Sequence, residues 1–554
     1  MNQSGKSYGV PVLRRLYVLL CSAMLLFVME TQAQAQSIPT RHVRHEVISG
    51  EASFLNRLPA TQSLRLNIAL PLRNESELDD LLQELYDSQS PSFHQFLSVQ
   101  EFTERFGPTE EDYAAVIRFA EQNGLTVTGT SPNRMVVDVT GSVADIERAF
   151  QVTMGSYQHP TEQREFYSPD REPSPDLRVP LWHISGLDNF SIPHPASLRR
   201  DAAAKPGTTG SGPSGYFIGS DMRAAYYGGT ALTGKGQSVG LLEFLGYNIT
   251  DVSNYFTKVK QTNTVTVTGV STDGSSLSCT RRCDDTEQVL DIEEAISMAP
   301  GLSSVRVYVS DTSDVSIFNK MATDNISKTL SCSWGWSPAD PSSDDTIFKE
   351  FAAQGQNLFV ASGDSGAYGN RSRYVYPADD AYVTSVGGTD LTTSSAGGLW
   401  KSETAWPDSG GGISPNNIAI PSYQTAAGVV TTANKGSKTL RNSPDVAAEA
   451  NTDNYICYDG TCEGGWGGTS FAAPRWAAFV ALVNQQSVAN TSPPKTVGFI
   501  NPAIYTIGLG SSYSTAFHDI TSGSNSTYSA VKGYDLVTGW GSPNGTGLIN
   551  ALVP

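Results

Sequence analysis

The sequence predicts an α/β protein in two parts. A doubly wound parallel sheet occupies residues 215–554, preceded by a compact α+β domain over 36–190. Three observations lead there. Past residue 215, short apolar strands alternate with helical stretches, the pattern of a parallel sheet covered on both faces. Before residue 190, strands and helices are mixed without that regular alternation. Between the two, residues 191–214 turn to Pro, Arg, Lys, Gly, Ser and Thr, the composition of an exposed linker open to proteolysis.

Taken in order, residues 1–35 read as a secretory signal. Lys6, Arg14 and Arg15 form a basic start, Leu16 to Val28 an apolar run, and Ala33-Gln34-Ala35 a small-residue cleavage site. The apolar run is short for a bilayer span and no other run reaches about 18 residues. The mature protein is therefore expected outside the cytoplasm, extracellular or periplasmic, with no membrane contact after signal removal. In the first domain Leu64–Leu72 alternates as a strand, and Glu75–Tyr86 is a helix with Leu78, Leu81, Leu82 and Leu85 on one face. Residues 90–97 read as a turn and packing segment. Thr109 caps a helix running to about Asn123, Leu125–Thr128 and Met135–Val139 are strands, and Ala144–Phe150 is a helix. This domain carries no clustered nucleophile, metal set or phosphate loop.

In the second domain the strands are Ser238–Phe244, Ser304–Val309, Lys328–Ser333, Asn357–Ser362 and Tyr382–Val386. Helices fall at Asp284–Met298, Val315–Asp324 and Asp345–Gln354, and a buried one at Ala472–Val483 with Pro474 in its first turn. Ligands of such sheets sit beyond the carboxyl ends of the strands, where Asp364 stands.

Charged residues make up 17% of the chain and the net charge is −18. That balance argues against nucleic acid or an anionic membrane as partner and suits work in acid. Of six cysteines, Cys21 leaves with the signal. Close spacing suggests Cys279–Cys283 and Cys457–Cys462 disulfides with Cys332 unpaired; a zinc site is the rival, though the spacings are not those of zinc knuckles.

The chemistry centres on Gly467-Gly468-Thr469-Ser470, a hydroxyl at a helix N-terminus beside free N–H groups. Ser470 could simply cap that helix. As a nucleophile it needs a base, and histidine is scarce. Six of seven, His42, His45, His94, His159, His183 and His194, precede the second domain, and His518 lies beside Asp519 in a turn-rich segment. A carboxylate must then activate the serine. Glu287 and Asp291 are four apart and share one helix face, although an acidic first turn has the same look. Asp364 alone could be a turn residue.

The order of motifs goes further. Glu287-x-x-Leu290-Asp291 on a helix ending Ala299-Pro300-Gly301 is followed by Ser333-Trp334-Gly335 and Ala361-Ser362-Gly363-Asp364-Ser365-Gly366. Tyr376-Pro377-Ala378, Ser385 to Thr389 and the Ser470 turn come next. This series resembles the sedolisin family of serine-carboxyl peptidases. The first domain resembles the prokumamolisin activation domain, in Ser90 to Ser98, Glu101 to Thr109 and the strand carrying Arg134. The resemblance implies a subtilisin-like fold and a monomeric, self-processing zymogen cutting polypeptides in acid. Ser470 would be the nucleophile, Glu287 its general base and acid, Asp291 the group orienting Glu287, and Asp364 the oxyanion donor. The activation domain would act as folding chaperone and intramolecular inhibitor. It also implies Ca²⁺ held by the carboxylates of Asp519 and Asp535 and the carbonyls of Ile520, Val531 and Gly533. Two positions depart from relatives: Gln288, where some carry Trp, and Val531, where Gly is frequent. The expected activity is that of an endopeptidase, with a tripeptidyl-peptidase, an inactive binding protein and a carboxylate-pair glycosidase as alternatives.

Overall fold

The computed structural model describes residues 38, 40–196, 198–201, 209–279, 283–337, 344–369 and 374–553. The signal reading of 1–35, and residues 197 and 202–208 of the linker, lie outside the described residues.

In the first domain a four-stranded antiparallel sheet runs in the order Thr126–Thr130, Val136–Ser142, Ser63–Ala69, His183–Ser185. Its alternation buries Leu64, Leu66 and Ile68 against helices Glu110–Gln122 and Val143–Phe150. Thr109 caps the first of these as predicted, its hydroxyl accepting from the Asp112 N–H. Helix Val99–Arg105 was not foreseen; its mark is the capping box Ser98-x-x-Glu101, in which both reciprocal bonds form.

The second domain is built on an eight-stranded sheet. The order is Thr266–Ser271, Ser304–Val309, Ser238–Glu243, Thr329–Cys332, Asn357–Ala361, Thr384–Thr393, Trp400–Ala405, with Val446–Glu449 also alongside Thr384–Thr393. Every pairing is parallel except the antiparallel one to Trp400–Ala405. Thr384–Thr393 therefore runs well beyond the Val386 end expected from its apolar run, because an antiparallel neighbour holds its polar half.

Helix Thr469–Asn490 packs on this sheet and on helix Thr286–Met298, buried along most of its length. It begins at Thr469 rather than Ala472, so Pro474 stands in its second turn, not its first. The missing N–H deprives the Ser470 carbonyl of its usual partner four residues on; the Ser333 hydroxyl approaches that carbonyl at 3.4 Å instead.

The two domains share one apolar core, in which Leu78, Leu82, Phe102 and Phe106 pack with Phe348 and Phe351. Polar groups cross the same boundary. Asn133 Nδ2 donates to Glu350 Oε2 at 2.7 Å, and Lys349 pairs with Asp79 at 3.1 Å. Burial pushes Glu350 up to about 8. Disulfides join Cys279 to Cys283 and Cys457 to Cys462, leaving Cys332 free and buried, as the spacing suggested. Among the described residues no helix is long and apolar enough to cross a membrane.

Candidate active site

Helices Thr286–Met298 and Thr469–Asn490, one of the closest helix pairs in the molecule, bring the predicted carboxylates to the predicted serine. Ser470, Glu287, Asp291 and Asp364 are all buried around one point. Ser470 Oγ and both Glu287 carboxylate oxygens are buried with no hydrogen bond formed. Burial lifts Glu287 well above the ordinary Glu range, the Asp291 charge adds to that, and the Ser470 hydroxyl opposes it. Asp291 Oδ1 accepts from the Ser333 hydroxyl at 2.9 Å, which ties the carboxylate pair to the end of strand Thr329–Cys332.

Glu243 is a third carboxylate in this set, and sequence reading missed it. It ends strand Ser238–Glu243, fully buried, with Oε2 accepting from Trp334 Nε1 at 2.9 Å. Burial raises both Glu243 and Asp291, and Glu243 raises Asp291 further. A lone charge at the end of Val239-Gly240-Leu241-Leu242 was the available signal, since a buried parallel strand rarely carries one.

Asp364 sits past strand Asn357–Ala361, as expected. Its Oδ1 accepts from both the N–H and the hydroxyl of Thr469, each at 2.7 Å. The Thr469 hydroxyl oxygen in turn accepts from the Gly363 N–H at 3.0 Å. Asp364 Oδ2 is buried without a partner and faces Gly468. Burial pushes this carboxyl up to about 7, against the Thr469 bonds that favour its charged form. In acid it is a neutral acid with Oδ2 free to carry the proton.

Arg199, Arg200 and Asp201 of the linker are exposed, as its composition suggested, yet the segment is paired to the peptidase domain. His194–Pro195 pairs antiparallel with Trp334–Gly335, and the Ala196 N–H donates to the Ser333 carbonyl at 3.0 Å. Arg199–Arg200 then pairs with Trp466–Gly467, and Leu198 packs with Leu290, Ile456 and Phe471. Backbone pairing of this kind leaves no trace in composition. The chain thus passes from Ser333 to Gly467, the two flanks of Ser470.

His518 is no rival base. It stacks on Trp400 with ring centroids 3.8 Å apart, and burial lowers it to about 4.

The expected cation ligands lie elsewhere, in the turns between Phe517 and Gly541. The Gly533 N–H donates to Asp519 Oδ1 at 3.1 Å and the Val531 N–H to Asp535 Oδ2 at 3.0 Å, which brings the two turns together. Among the described residues the carbonyls of Ile520, Val531 and Gly533 accept no backbone hydrogen bond. Burial pushes Asp535 up to about 7 and raises Asp519. Two carboxylates with unused carbonyls make an all-oxygen donor set that fits a hard cation. No group of three or more His, Cys, Asp or Glu that could hold a metal occurs among the described residues, so such a site would depend on those carbonyls.

Comparison with known proteins agrees with this arrangement. Residues 51–190 match the pro-kumamolisin activation domain, and residues 294–541 the subtilase family. Kumamolisin from Bacillus sp. (strain MN-32) is 30% identical, over 92% of this chain and 97% of its own. Sedolisin from Pseudomonas sp. (strain 101) is 28% identical, over 90% of this chain and 88% of its own. The solved structure of Pseudomonas sedolisin, a serine-carboxyl proteinase complexed with two molecules of pseudo-iodotyrostatin, superposes with a TM-score of 0.53. It is 26% identical and covers 62% of this chain and 98% of its own. The chain belongs to the sedolisin family of serine-carboxyl peptidases, with a pro-kumamolisin activation domain ahead of its subtilisin-like domain.

Proposed function

We propose that the chain is the precursor of a secreted, acid-acting endopeptidase that cuts its own linker, with Ser470, Glu287, Asp291 and Asp364 as the reacting set. The observation that carries this is Asp364 Oδ2, buried, unpartnered and facing the serine turn, while its other oxygen is clamped by Thr469. Ionised Glu287 takes the Ser470 proton as Oγ bonds to the substrate carbonyl carbon. The resulting oxyanion accepts a hydrogen bond from protonated Asp364. Glu287 then gives the proton to the leaving amine as the C–N bond breaks, leaving an acyl-enzyme that water cleaves by the same steps reversed. Asp291, held by Ser333 and Glu243, orients Glu287.

The cut in the precursor would fall between Ala196, bonded on the Ser333 side of Ser470, and Arg199, paired on the Gly467 side. The linker pairs with the peptidase domain on both sides of that point, which supports an endopeptidase over a tripeptidyl-peptidase. The first domain, sharing a core with the second, would hold the linker there as an intramolecular inhibitor until cutting. Ca²⁺ at Asp519, Asp535, Ile520, Val531 and Gly533 would brace the C-terminal turns, away from the reacting groups.

Incubating the purified precursor in mild acid tests this. Wild type should shorten to a chain beginning near Leu198 and release internal peptides from a denatured protein, as read by mass spectrometry. Ser470→Ala should stay full length. Processing of Ser470→Ala in a protease-free preparation would overturn self-cleavage; release of tripeptides alone would favour the tripeptidyl-peptidase reading.

A further inference from the structure

We infer that the cleft on the C-terminal side of the cut selects an apolar residue followed by two basic ones. The inference rests on the reading of the linker as a bound substrate and adds the class of sequence the enzyme takes. Leu198 lies in a pocket formed by Leu290, Ile456 and Phe471, walled by Tyr458 and Trp466. The next two residues each meet a carboxylate of the peptidase domain. Arg199 Nη1 stands 2.7 Å from Asp408 Oδ2, and Arg200 Nη2 bonds the Glu463 carboxylate. Glu463 is itself held, its other oxygen accepting from the Tyr458 hydroxyl.

Register rather than chance contact sets these pairs. Arg199 is opposite Gly467 and Arg200 opposite Trp466 in the antiparallel ladder, and the Asp201 N–H extends it to the Gly465 carbonyl at 2.9 Å. Successive side chains of a strand point to opposite faces. The two arginines therefore reach carboxylates on different segments, Asp408 after strand Trp400–Ala405 and Glu463 within strand Thr461–Gly467. Any peptide that continues the same ladder past Ser470 places its side chains at the same two carboxylates. Basic residues gain there, neutral ones do not, and acidic ones are repelled.

Three internally quenched peptides test this with the mature wild-type enzyme. Each carries the chain's own sequence from Ile192 to Asp201, with both arginines retained, both replaced by Ala, or both replaced by Glu. The Arg peptide should exceed the Ala peptide in kcat/KM on the order of 3- to 10-fold, as two partly exposed ion pairs allow. The gain should lie mainly in KM, since contacts remote from the reacting bond serve ground and transition state alike. It should shrink in 1 M salt, and the Glu peptide should be slowest. In Asp408→Asn/Glu463→Gln the Arg-to-Ala ratio should fall toward one, the ratio rather than the rate being the readout. Equal kcat/KM for the Arg and Ala peptides, or a ratio the double variant leaves unchanged, overturns the inference and reduces the ion pairs to a tether for the chain's own linker. Cleavage of none of the three overturns the peptidase reading, and this inference with it.

Discussion

A Cβ atom on Gly468 would stand 2.6 Å from Asp364 Oδ2, closer than any real contact, and Gly468 adopts φ +156°. In the proposed mechanism the glycine is the opening through which the acid of Asp364 would reach the reacting carbonyl. Gly468→Ala should turn that carboxyl away from Ser470 and cost roughly 10²- to 10³-fold in kcat, the effect of removing one oxyanion donor. The checks are steady-state kinetics and a melting curve. A variant that folds and keeps wild-type kcat would show that Oδ2 is not the donor.

Glu243→Gln tests the third carboxylate. The amide oxygen still accepts from Trp334 Nε1, but the charge that raises Asp291 is gone. Asp291 then ionises more readily, and its charge raises Glu287. With Glu287 as the proposed base, activity needs it ionised, so the acid limb of the pH–rate profile should move to higher pH while the alkaline limb stays. A lower rate with both limbs unmoved would leave Glu243 a packing role only.

Calcium removal should act on stability before chemistry, since an ion bound only by the folded state adds about 2.7 kcal/mol at a concentration 100 times its Kd. The free carbonyls beside Asp519 and Asp535 belong to C-terminal turns, not to the serine site. Chelation or Asp519→Ala should lower the melting temperature by several degrees, and metal analysis of the purified protein should find calcium. An unchanged melting temperature in a calcium-free protein would remove the site.

Much of the candidate set was legible because it is local. Glu287 and Asp291 are one helical turn apart, Ser470 opens an apolar helix, and Asp364 follows an apolar strand. The disulfides were legible for the same reason, their cysteines being four and five residues apart. What escaped depends on pairing at long range. Glu243 meets Asp291 and Trp334 only once three segments are laid side by side. The pairing of the linker escaped because its strands are two residues long and held by backbone bonds to segments over 130 residues away. Thr469 passed unnoticed beside Ser470, although its hydroxyl and N–H orient Asp364.

The pH dependence of kcat/KM, measured for the wild type and for Asp364→Asn, tests the central claim most directly. In the proposed mechanism activity requires Asp364 protonated, so it should be lost as pH rises through a carboxyl that burial pushes up to about 7. It requires Glu287 ionised, so it is also lost as pH falls through that group. The expected profile is a bell with its maximum below pH 7. An amide at position 364 donates without titrating, so the residual activity of Asp364→Asn should extend to higher pH with its acid limb in place. A wild-type optimum at neutral or alkaline pH, or an Asn variant whose alkaline limb does not move, would contradict the assignment of Asp364 as the oxyanion acid.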